Sequence, residues 1–397
     1  MFERAAAGEA RPGRARRARA DGVWWQRWRP SALGREVLGW WLVSRVALFV
    51  LSVSAPLLFN RGTDYPNVWR AWLQWDVWHL NAVAQYGYNH GEPSGAPLAA
   101  FFPGFPLLVH IVAYTGIGYV ASGIVVSAVA SAVAGVYLAR LAEYEFPELK
   151  GFGPNAAMVW YGAPVGVFLA AGYTESLFCA FAFPAWLAAR QGRWARAAVF
   201  VALASTVRVS GLFLIFALGV EFLTSKKRDW LSLPWLALPL VPVLGFMAYL
   251  KQIHGSWFAW HEAQEKGWPR KFTWPWTSLQ HTVEAATKGR FPADRTDWTW
   301  MFRAELVALL VCLVLLVWLL WRRSWGESAW VAATLGAFCT SYWVFSLTRA
   351  TLLLWPLWIG LAVLVKRKPW LGRLYLTLAI PLAAVWAAAF FTGRWSG

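Results

Sequence analysis

Residues 302–322 read FRAELVALLVCLVLLVWLLWR, and they decide the fold class. From Leu306 to Trp321 every side chain is apolar, and a run of roughly this length can cross about 30 Å of hydrocarbon as a helix. Similar runs recur along the 397 residues, of which 58% are hydrophobic and 14% charged. A soluble surface needs roughly 25–35% charged residues. The sequence therefore predicts an all-α polytopic membrane protein.

The apolar runs divide into eleven predicted membrane spans. These are residues 36–59, 119–142, 153–170, 174–190, 194–206, 209–224, 233–251, 302–322, 328–346, 350–366 and 371–392. The segment 101–116 is ambiguous, and alternation of basic with weakly charged turns leaves one crossing too many if it spans. We expect it to be juxtamembrane or re-entrant, which also suits its Pro103 and Pro106. A single transmembrane domain over 36–397 follows, with its C-terminus outside.

The charge excess orients the chain. Lys and Arg number 37 against 20 Asp and Glu, and nine of the arginines lie within residues 1–35. We expect this segment to be a disordered basic cytoplasmic arm, because the positive-inside rule accounts for its charge. No nucleic-acid partner is expected. The three cysteines show no metal-ligand spacing.

Two long segments fall on the outer side, a first loop at 60–118 and a Trp-rich loop at 252–301. Several helices that border outer turns are too short to reach the membrane surface, and irregular backbone at that depth survives only in protein or beside water. An outward-facing cavity is predicted. The tryptophans of loop 252–301 fit an interfacial belt, and stacking on sugar rings stays open for some of them.

Asp76 in the first outer loop is a candidate site residue with two interpretations. If 68–86 is one helix, Asp76 lies within an apolar stripe and is costly to desolvate. Alternatively it caps a short helix over 77–86 that stops at Gly87, with its side chain in water. His79 follows one turn later and could pair with Asp76 or with an anionic ligand.

Three further ionisable residues lie at outer turns. Glu175 follows Tyr173 and Thr174 at a helix start, where it could simply complement the helix dipole. Arg208 and Arg349 lie between short apolar segments and could snorkel to water. Ionisable groups in such places are nevertheless functional candidates. Two carboxylates and two arginines suit a reaction between a hydroxyl group and a phosphate-bearing lipid.

These residues occur in motifs that resemble the PIG-V family, whose eukaryotic members are the second mannosyltransferase of GPI-anchor synthesis. The resemblance covers most of the chain and is that of a bacterial, actinobacterial member. The matching segments are Trp75-Asp76-Val77-Trp78-His79, Ala84-Gln85-Tyr86-Gly87-Tyr88, Phe101-Phe102-Pro103-Gly104-Phe105-Pro106-Leu107-Leu108, Tyr173-Thr174-Glu175-Ser176-Leu177-Phe178, Arg208-Val209-Ser210-Gly211, and Arg349 ahead of Trp355-Pro356-Leu357.

The resemblance implies a GT-C glycosyltransferase fold and a polyprenyl-phosphate sugar as donor. It implies Asp76 as catalytic base and Glu175 as the second acidic residue of the active site. Arg208 and Arg349, with His79 and Tyr173, would bind the substrate and its phosphate. The chain departs from the family pattern where Gly104 replaces a bulkier residue, where Val207 precedes Arg208 in place of Thr, and where Ala350 replaces Tyr after Arg349.

The expected function is inverting transfer of mannose from polyprenyl-phosphate-mannose to a hydroxyl group of an outer-face glycolipid, glycan or protein. A divalent cation is possible but not required, because the leaving group is a phosphomonoester. The expected location is a bacterial plasma membrane. A GT-C enzyme that uses another polyprenyl-phosphate sugar, or a lipid or solute transporter, is the alternative; a transporter would often show related halves, and the sequence has no internal repeat.

Overall fold

The computed structural model describes residues 31–59, 67–89, 97–268, 270–287, 291 and 296–396, and in these residues the regular structure is helical. Residues 1–30 of the predicted basic arm lie outside this part of the chain. The helices are α1 Ala32–Phe59, α2 Val68–Trp72, α3 Asp76–Tyr86, α4 Gly104–Ala113, α5 Tyr119–Glu145, α6 Gly153–Tyr161, α7 Glu175–Arg190, α8 Trp194–Ser205, α9 Ser210–Thr224, α10 Leu240–His254, α11 Ala259–Gly267, α12 Pro275–Ala285, α13 Thr296–Trp321, α14 Trp325–Cys339, α15 Leu347–Ala350, α16 Trp355–Arg367 and α17 Pro369–Phe391.

Five helical segments of the described chain are long and apolar enough to cross a membrane. They are Ala32–Phe59, Tyr119–Glu145, Trp230–His254, Thr296–Trp321 and Pro369–Phe391. A sixth arises if Leu347–Leu353 and Trp355–Arg367, which meet at 74°, form one broken span. The prediction of an all-α, multi-pass membrane protein is confirmed. The count of eleven crossings is not, and it stays a prediction because several expected spans are shorter helices.

Some expected spans are wrong in their extent. The predicted span 153–170 is helical in α6 only as far as Tyr161, and turns and the short 3-10 segment Gly166–Leu169 follow. The segment 328–346 was expected to be a single crossing, but α14 ends at Cys339. Residues 340–346 then run without regular helix to α15. This irregular segment, followed by α15, brings a run of backbone polar groups and Arg349 into the interior of the protein.

Helix α7 lies at the centre of the bundle. Nearly all of its side chains are buried, and it packs against α5, α8 and α9. Its first residue, Glu175, and its last, Arg190, are the charged ends of a 16-residue helix. At 1.5 Å per residue these ends lie roughly 24 Å apart. Charged groups gathered at the two ends are therefore separate sites.

The described part of the first outer loop folds into short helices and contains no helix long enough to cross the membrane. The ambiguous segment 101–116 forms α4, a ten-residue helix. At its start the Gly104 amide donates to the Thr206 carbonyl oxygen at 2.7 Å, and a Cβ on Gly104 would lie 2.7 Å from that same oxygen. A bulkier residue would push the loop away from the turn that carries Arg208. The close approach accounts for this departure from the family pattern.

The backbone around Asp76 differs from both interpretations of the sequence. A continuous helix over 68–86 is wrong, because α2 ends at Trp72 and Trp75 has a φ of 53°. Asp76 is the first residue of α3, which ends before Gly87 as the capping alternative expected. Its side chain is not simply solvated, however, since Oδ2 is ion-paired. A positive φ at a bulky residue is uncommon and is typical of functional sites.

Candidate active site

Asp76 and Arg349 form the first contact of the site. The Arg349 guanidinium donates from Nη1 to Asp76 Oδ2 at 2.9 Å. The Arg349 side chain is 10% exposed and that of Asp76 20%. Among the described residues, the hydrogen bonds to this carboxylate reach Oδ2 alone. Asp76 therefore keeps part of its surface available to a ligand while its orientation is fixed.

Glu175 lies behind this pair and is completely buried. Its Oε1 is 2.9 Å from Arg349 Nε and forms a short contact with Arg208 Nη1. Arg208 Nη1 also donates to Thr174 Oγ1 at 2.7 Å. The geometry shows Glu175 holding two arginines with one carboxylate oxygen. We call Asp76, Glu175, Arg208 and Arg349 the site cluster, a chain of alternating charges from four separate segments.

Two aromatic rings lie against the guanidinium at the centre of this chain. The Arg349 guanidinium carbon is 5.1 Å from the ring centre of Tyr173 and 5.5 Å from that of Phe168. Both rings are buried. The two rings contact each other, with centroids 4.9 Å apart, so they lie on the same side of the guanidinium and hold Arg349 there by cation–π attraction. Tyr173 thus joins the site by confining Arg349.

Arg349 is positioned by a residue that sequence analysis missed. Glu305 of α13 is buried, and its carboxylate accepts hydrogen bonds from the Ser346 and Thr348 amides at 2.9 Å each. Thr348 Oγ1 adds a third at 3.0 Å. These bonds hold Ser346 at a φ of 65° and secure the start of α15. A carboxylate inside the apolar run 302–322 was the available signal.

A cavity of about 680 Å³ opens beside the site cluster. Among the described residues that line it, Asp76 carries the only carboxylate, and Arg208, Arg270 and Arg349 supply guanidinium groups. Much of the remaining wall is aromatic. The aromatic lining residues are Trp75, Phe101, Phe102, Phe213, Trp260, Trp268, Phe272, Trp298, Phe338, Trp343, Phe345 and Trp395. The lining combines net positive charge with an extensive apolar surface.

His79 contributes to the wall of this region from behind. Its ring stacks on Phe101 with centroids 5.3 Å apart and meets the Trp268 ring edge-on at 5.6 Å. Phe101 and Trp268 line the cavity, whereas His79 itself is not among its lining residues. A direct contact between His79 and a ligand therefore requires the two rings to move.

Arg270 was not singled out from the sequence. It follows α11, lines the cavity and lies with its guanidinium carbon 5.4 Å from the Phe338 ring centre. Burial lowers the pKa of Arg270 to about 10; the charges of Arg349 and Arg208 act in the same direction, and those of Asp76 and Glu305 oppose it. The sequence gives no indication that Arg270 lies near the site cluster, because only the folding of the chain brings it to the cavity.

The described residues contain no group of three or more His, Cys, Asp or Glu side chains arranged to hold a metal ion. In the site cluster, the two carboxylates are already engaged by guanidinium groups.

The helical bundle, the buried ion chain and the cavity together define a polytopic membrane protein with a carboxylate–arginine site. Comparison with known families gives a match. Residues 50–228 match the family model described as mannosyltransferase (PIG-V). The resemblance to the PIG-V family that the motifs indicate is confirmed. The matched region contains Asp76, Tyr173, Glu175 and Arg208, whereas Arg270, Glu305 and Arg349 lie beyond it.

The curated relatives that the chain matches are also named as mannosyltransferases. The chain is 32% identical over 185 residues to GPI alpha-1,6-mannosyltransferase 2 of Mus musculus, covering 44% of this chain and 36% of the mouse protein. It is 31% identical over 147 residues to the Homo sapiens protein of that name, covering 35% and 29%. The matched region thus spans about a third of the relatives' own length.

Among solved structures, the chain is similar to ArnT from Cupriavidus metallidurans bound to undecaprenyl phosphate. The likeness covers 91% of this chain and 76% of ArnT, at 15% identity and a TM-score of 0.46. The apo state of the same protein gives a TM-score of 0.44.

Proposed function

We propose that this protein is a membrane glycosyltransferase of GT-C type that transfers mannose from a polyprenyl-phosphate-mannose to an acceptor hydroxyl group. The observation that carries the proposal is the position of Asp76. It is the carboxylate of the cavity lining, in a chain whose residues 50–228 match the PIG-V mannosyltransferase family. The site cluster gives this carboxylate a fixed orientation next to guanidinium groups.

In the proposed reaction, the acceptor oxygen attacks the anomeric carbon from the face opposite the phosphate. Asp76 takes the hydroxyl proton as the new glycosidic bond forms. The bond between the anomeric carbon and the phosphate oxygen breaks, and the polyprenyl phosphate leaves with the bonding electrons. The configuration at the anomeric carbon is inverted. A positioned base of this kind contributes about 10²- to 10⁴-fold to the rate.

The pairing of Asp76 with Arg349 gives the two residues a shared role. The ion pair with the Arg349 guanidinium fixes the orientation of the Asp76 carboxylate toward the cavity. Negative charge that gathers on the leaving phosphate would draw Arg349 away from Asp76 and toward the phosphate as the bond to the sugar breaks. Glu175, buried behind them, keeps Arg349 and Arg208 in place.

We also propose that the protein resides in a bacterial plasma membrane, with a cytoplasmic N-terminus and with its site and C-terminus on the outer face. The charge distribution supports this orientation. The C-terminal segment does lie on the site's side of the bundle, because Trp75 Nε1 donates to the Arg394 carbonyl oxygen at 3.2 Å. The acceptor is proposed by chemical class only, as a glycolipid, glycan or protein hydroxyl group.

A transfer assay combined with a flux assay tests the proposal. Purified protein in proteoliposomes receives radiolabelled polyprenyl-phosphate-mannose and an extract of acceptor lipids and glycans. We expect label to appear in an acceptor with inverted anomeric configuration, and we expect it to fall to background in Asp76→Asn. Movement of intact lipid between leaflets without a new glycosidic bond would support a transporter and contradict the proposal. Label delivered only from another polyprenyl-phosphate sugar would correct the donor.

A further inference from the structure

The three arginines of the cavity lining differ in what balances their charge. Arg349 is ion-paired with Asp76 and Glu175, and Arg208 is ion-paired with Glu175. The Arg270 side chain forms no ion pair or side-chain hydrogen bond with any residue of the described chain, and it rests against the Phe338 ring. Arg270 is thus the cavity guanidinium whose charge is not already balanced by a neighbouring carboxylate.

The fold holds Arg270 beside the segment that carries Arg349. The Thr273 amide donates to the Thr340 carbonyl oxygen at 2.8 Å, which ties the loop after α11 to the end of α14. From Thr340 the chain runs along the cavity through Ser341 and Ser346 to Arg349. The two arginines therefore approach one space from two chain segments that are bonded to each other.

The electrostatics of this arrangement favour an anion. An ionised group removed from water without a partner is destabilised, and a like charge nearby adds to the cost. Arg270 experiences both effects: burial and the charges of Arg349 and Arg208 lower its pKa, and the more distant carboxylates of Asp76 and Glu305 offset this only in part. With one carboxylate and three guanidinium groups in the lining, an incoming anion relieves this destabilisation. A phosphate group also matches the planar guanidinium fork.

We propose that Arg270 anchors the phosphate group of the ligand that enters this cavity, while Arg208 and Arg349 chiefly hold the carboxylates of the site cluster. The proposal rests on the proposed function in one respect, that the ligand is the polyprenyl-phosphate donor. Arg270 contacts the phosphate before reaction and in the product. Arg349 reaches the phosphate only as its bond to the sugar breaks.

Binding measurements without sugar or acceptor test the anchor. Wild type, Arg270→Gln and Arg270→Lys in lipid nanodiscs are titrated with a polyprenyl phosphate and with the matched uncharged polyprenol. Lys271→Gln is the control, because this substitution removes the same positive charge one residue away. Lys271 is exposed and does not line the cavity. A charged hydrogen-bonded contact is worth about ten- to a hundredfold in affinity.

We expect wild type and Lys271→Gln to prefer the phosphate over the polyprenol by about ten- to a hundredfold. Arg270→Gln should lose this preference and Arg270→Lys should retain part of it. Inorganic phosphate should compete in wild type but not in Arg270→Gln if the anchor recognises phosphate alone. A preference that survives in Arg270→Gln, or is missing from wild type, overturns the proposal.

Transfer kinetics separate failure of the anchor from failure of the proposed function. With polyprenyl-phosphate-mannose as donor, Arg270→Gln should raise the donor KM more than it lowers kcat. Normal donor KM in this variant would remove the anchor and leave the mannosyltransferase proposal standing. If phosphate binding depends on Arg270 but the protein forms no mannosidic bond, the anchor stands and the mannosyltransferase proposal is removed.

Discussion

The two ends of α7 each carry a cluster of charged side chains, but only one of the clusters borders the cavity. At the far end, Arg190 donates to both oxygens of Glu145 at 2.6 and 2.9 Å and to Glu221 at 2.9 Å. Close by, Glu327 accepts from Trp355 Nε1 at 3.0 Å. We call Glu145, Arg190, Glu221 and Glu327 the distal cluster. Among the described residues, none of its members lines the cavity.

The comparison shows that ion pairs inside an apolar bundle do not by themselves indicate chemistry. In the distal cluster, helix ends are joined by carboxylates that are satisfied by Arg190 and Trp355, which is a structural arrangement. In the site cluster, Asp76 and Arg349 retain surface toward the cavity, next to the uncompensated Arg270. Access to a ligand distinguishes the two. Substitutions in the two clusters should therefore separate loss of activity from loss of folding.

The largest contrast should come from truncating one arginine in each cluster. Arg349→Ala should lower transfer by about 10²- to 10³-fold, because it removes a charge that stabilises the leaving phosphate. This variant should lose less stability than Arg190→Ala, because Glu175 keeps its ion pair with Arg208 and Asp76 is partly exposed. Arg190→Ala should instead destabilise by about 3–5 kcal/mol, because Glu145 and Glu221 remain buried without their partner. Initial rates and thermal unfolding of each purified variant give the comparison; equal losses of both kinds in the two variants would remove it.

Glu175→Gln should produce the next largest effect. The change leaves Arg349 and Arg208 close together without their shared counter-charge, and removing one partner of a buried pair costs about 3–5 kcal/mol. We expect lower stability together with about tenfold or greater loss of transfer by the folded protein. Thermal unfolding measures the stability, and the initial rate of transfer per folded protein, counted by titration with donor lipid, measures the activity. Normal stability of Glu175→Gln would show that the negative charge of this side chain is not needed for folding.

Glu305→Gln should lower transfer by about tenfold, since a charged hydrogen bond contributes roughly 1.5 kcal/mol or more. The amide keeps an oxygen for one backbone N–H group but loses the charge that secures Ser346 and Thr348. Because Glu305 acts through Arg349, kcat should fall more than donor affinity, and Glu305→Asp should restore part of it. If thermal stability fell while the kcat of the folded fraction did not, Glu305 would be structural only.

Gly104→Ala should have the smallest effect. Its Cβ would meet the backbone of Thr206 and displace the turn before Arg208, and overpacking of this kind costs about 1–3 kcal/mol. We expect lower stability and a few-fold loss of transfer. Gly39→Ala is a matched control, because a Cβ there meets nothing within 4 Å. Equal stability of the two variants would show that the close approach at Gly104 is not maintained.

The sequence predicted the long helices well, because in lipid an uninterrupted apolar run is sufficient to specify a spanning helix. Residues 302–322 thus became the greater part of α13. The sequence also singled out Asp76, Glu175, Arg208 and Arg349 as candidates, since charged residues at helix ends in an apolar chain are conspicuous, and the structure brings the four together. What it could not predict was their pairing, which joins residues up to 273 positions apart.

The sequence failed where backbone conformation or distant contacts decide. The break at Trp75 depends on a positive φ that no residue spacing encodes. Arg270 reaches the cavity because its loop is bonded to Thr340, and Glu305 matters because α15 begins against it. Each of these features requires knowledge of which segments meet, and a pattern within one segment does not contain it.

The central claim is that Asp76 of the site cluster acts as the catalytic base, and single-turnover transfer by Asp76→Asn tests it most directly. The variant is first shown to bind a polyprenyl phosphate as wild type does, and it is then mixed with polyprenyl-phosphate-mannose and acceptor. We predict that binding is retained and that the rate of mannose transfer falls by about 10²- to 10⁴-fold. A transfer rate near that of wild type, at normal donor occupancy, would contradict the assignment.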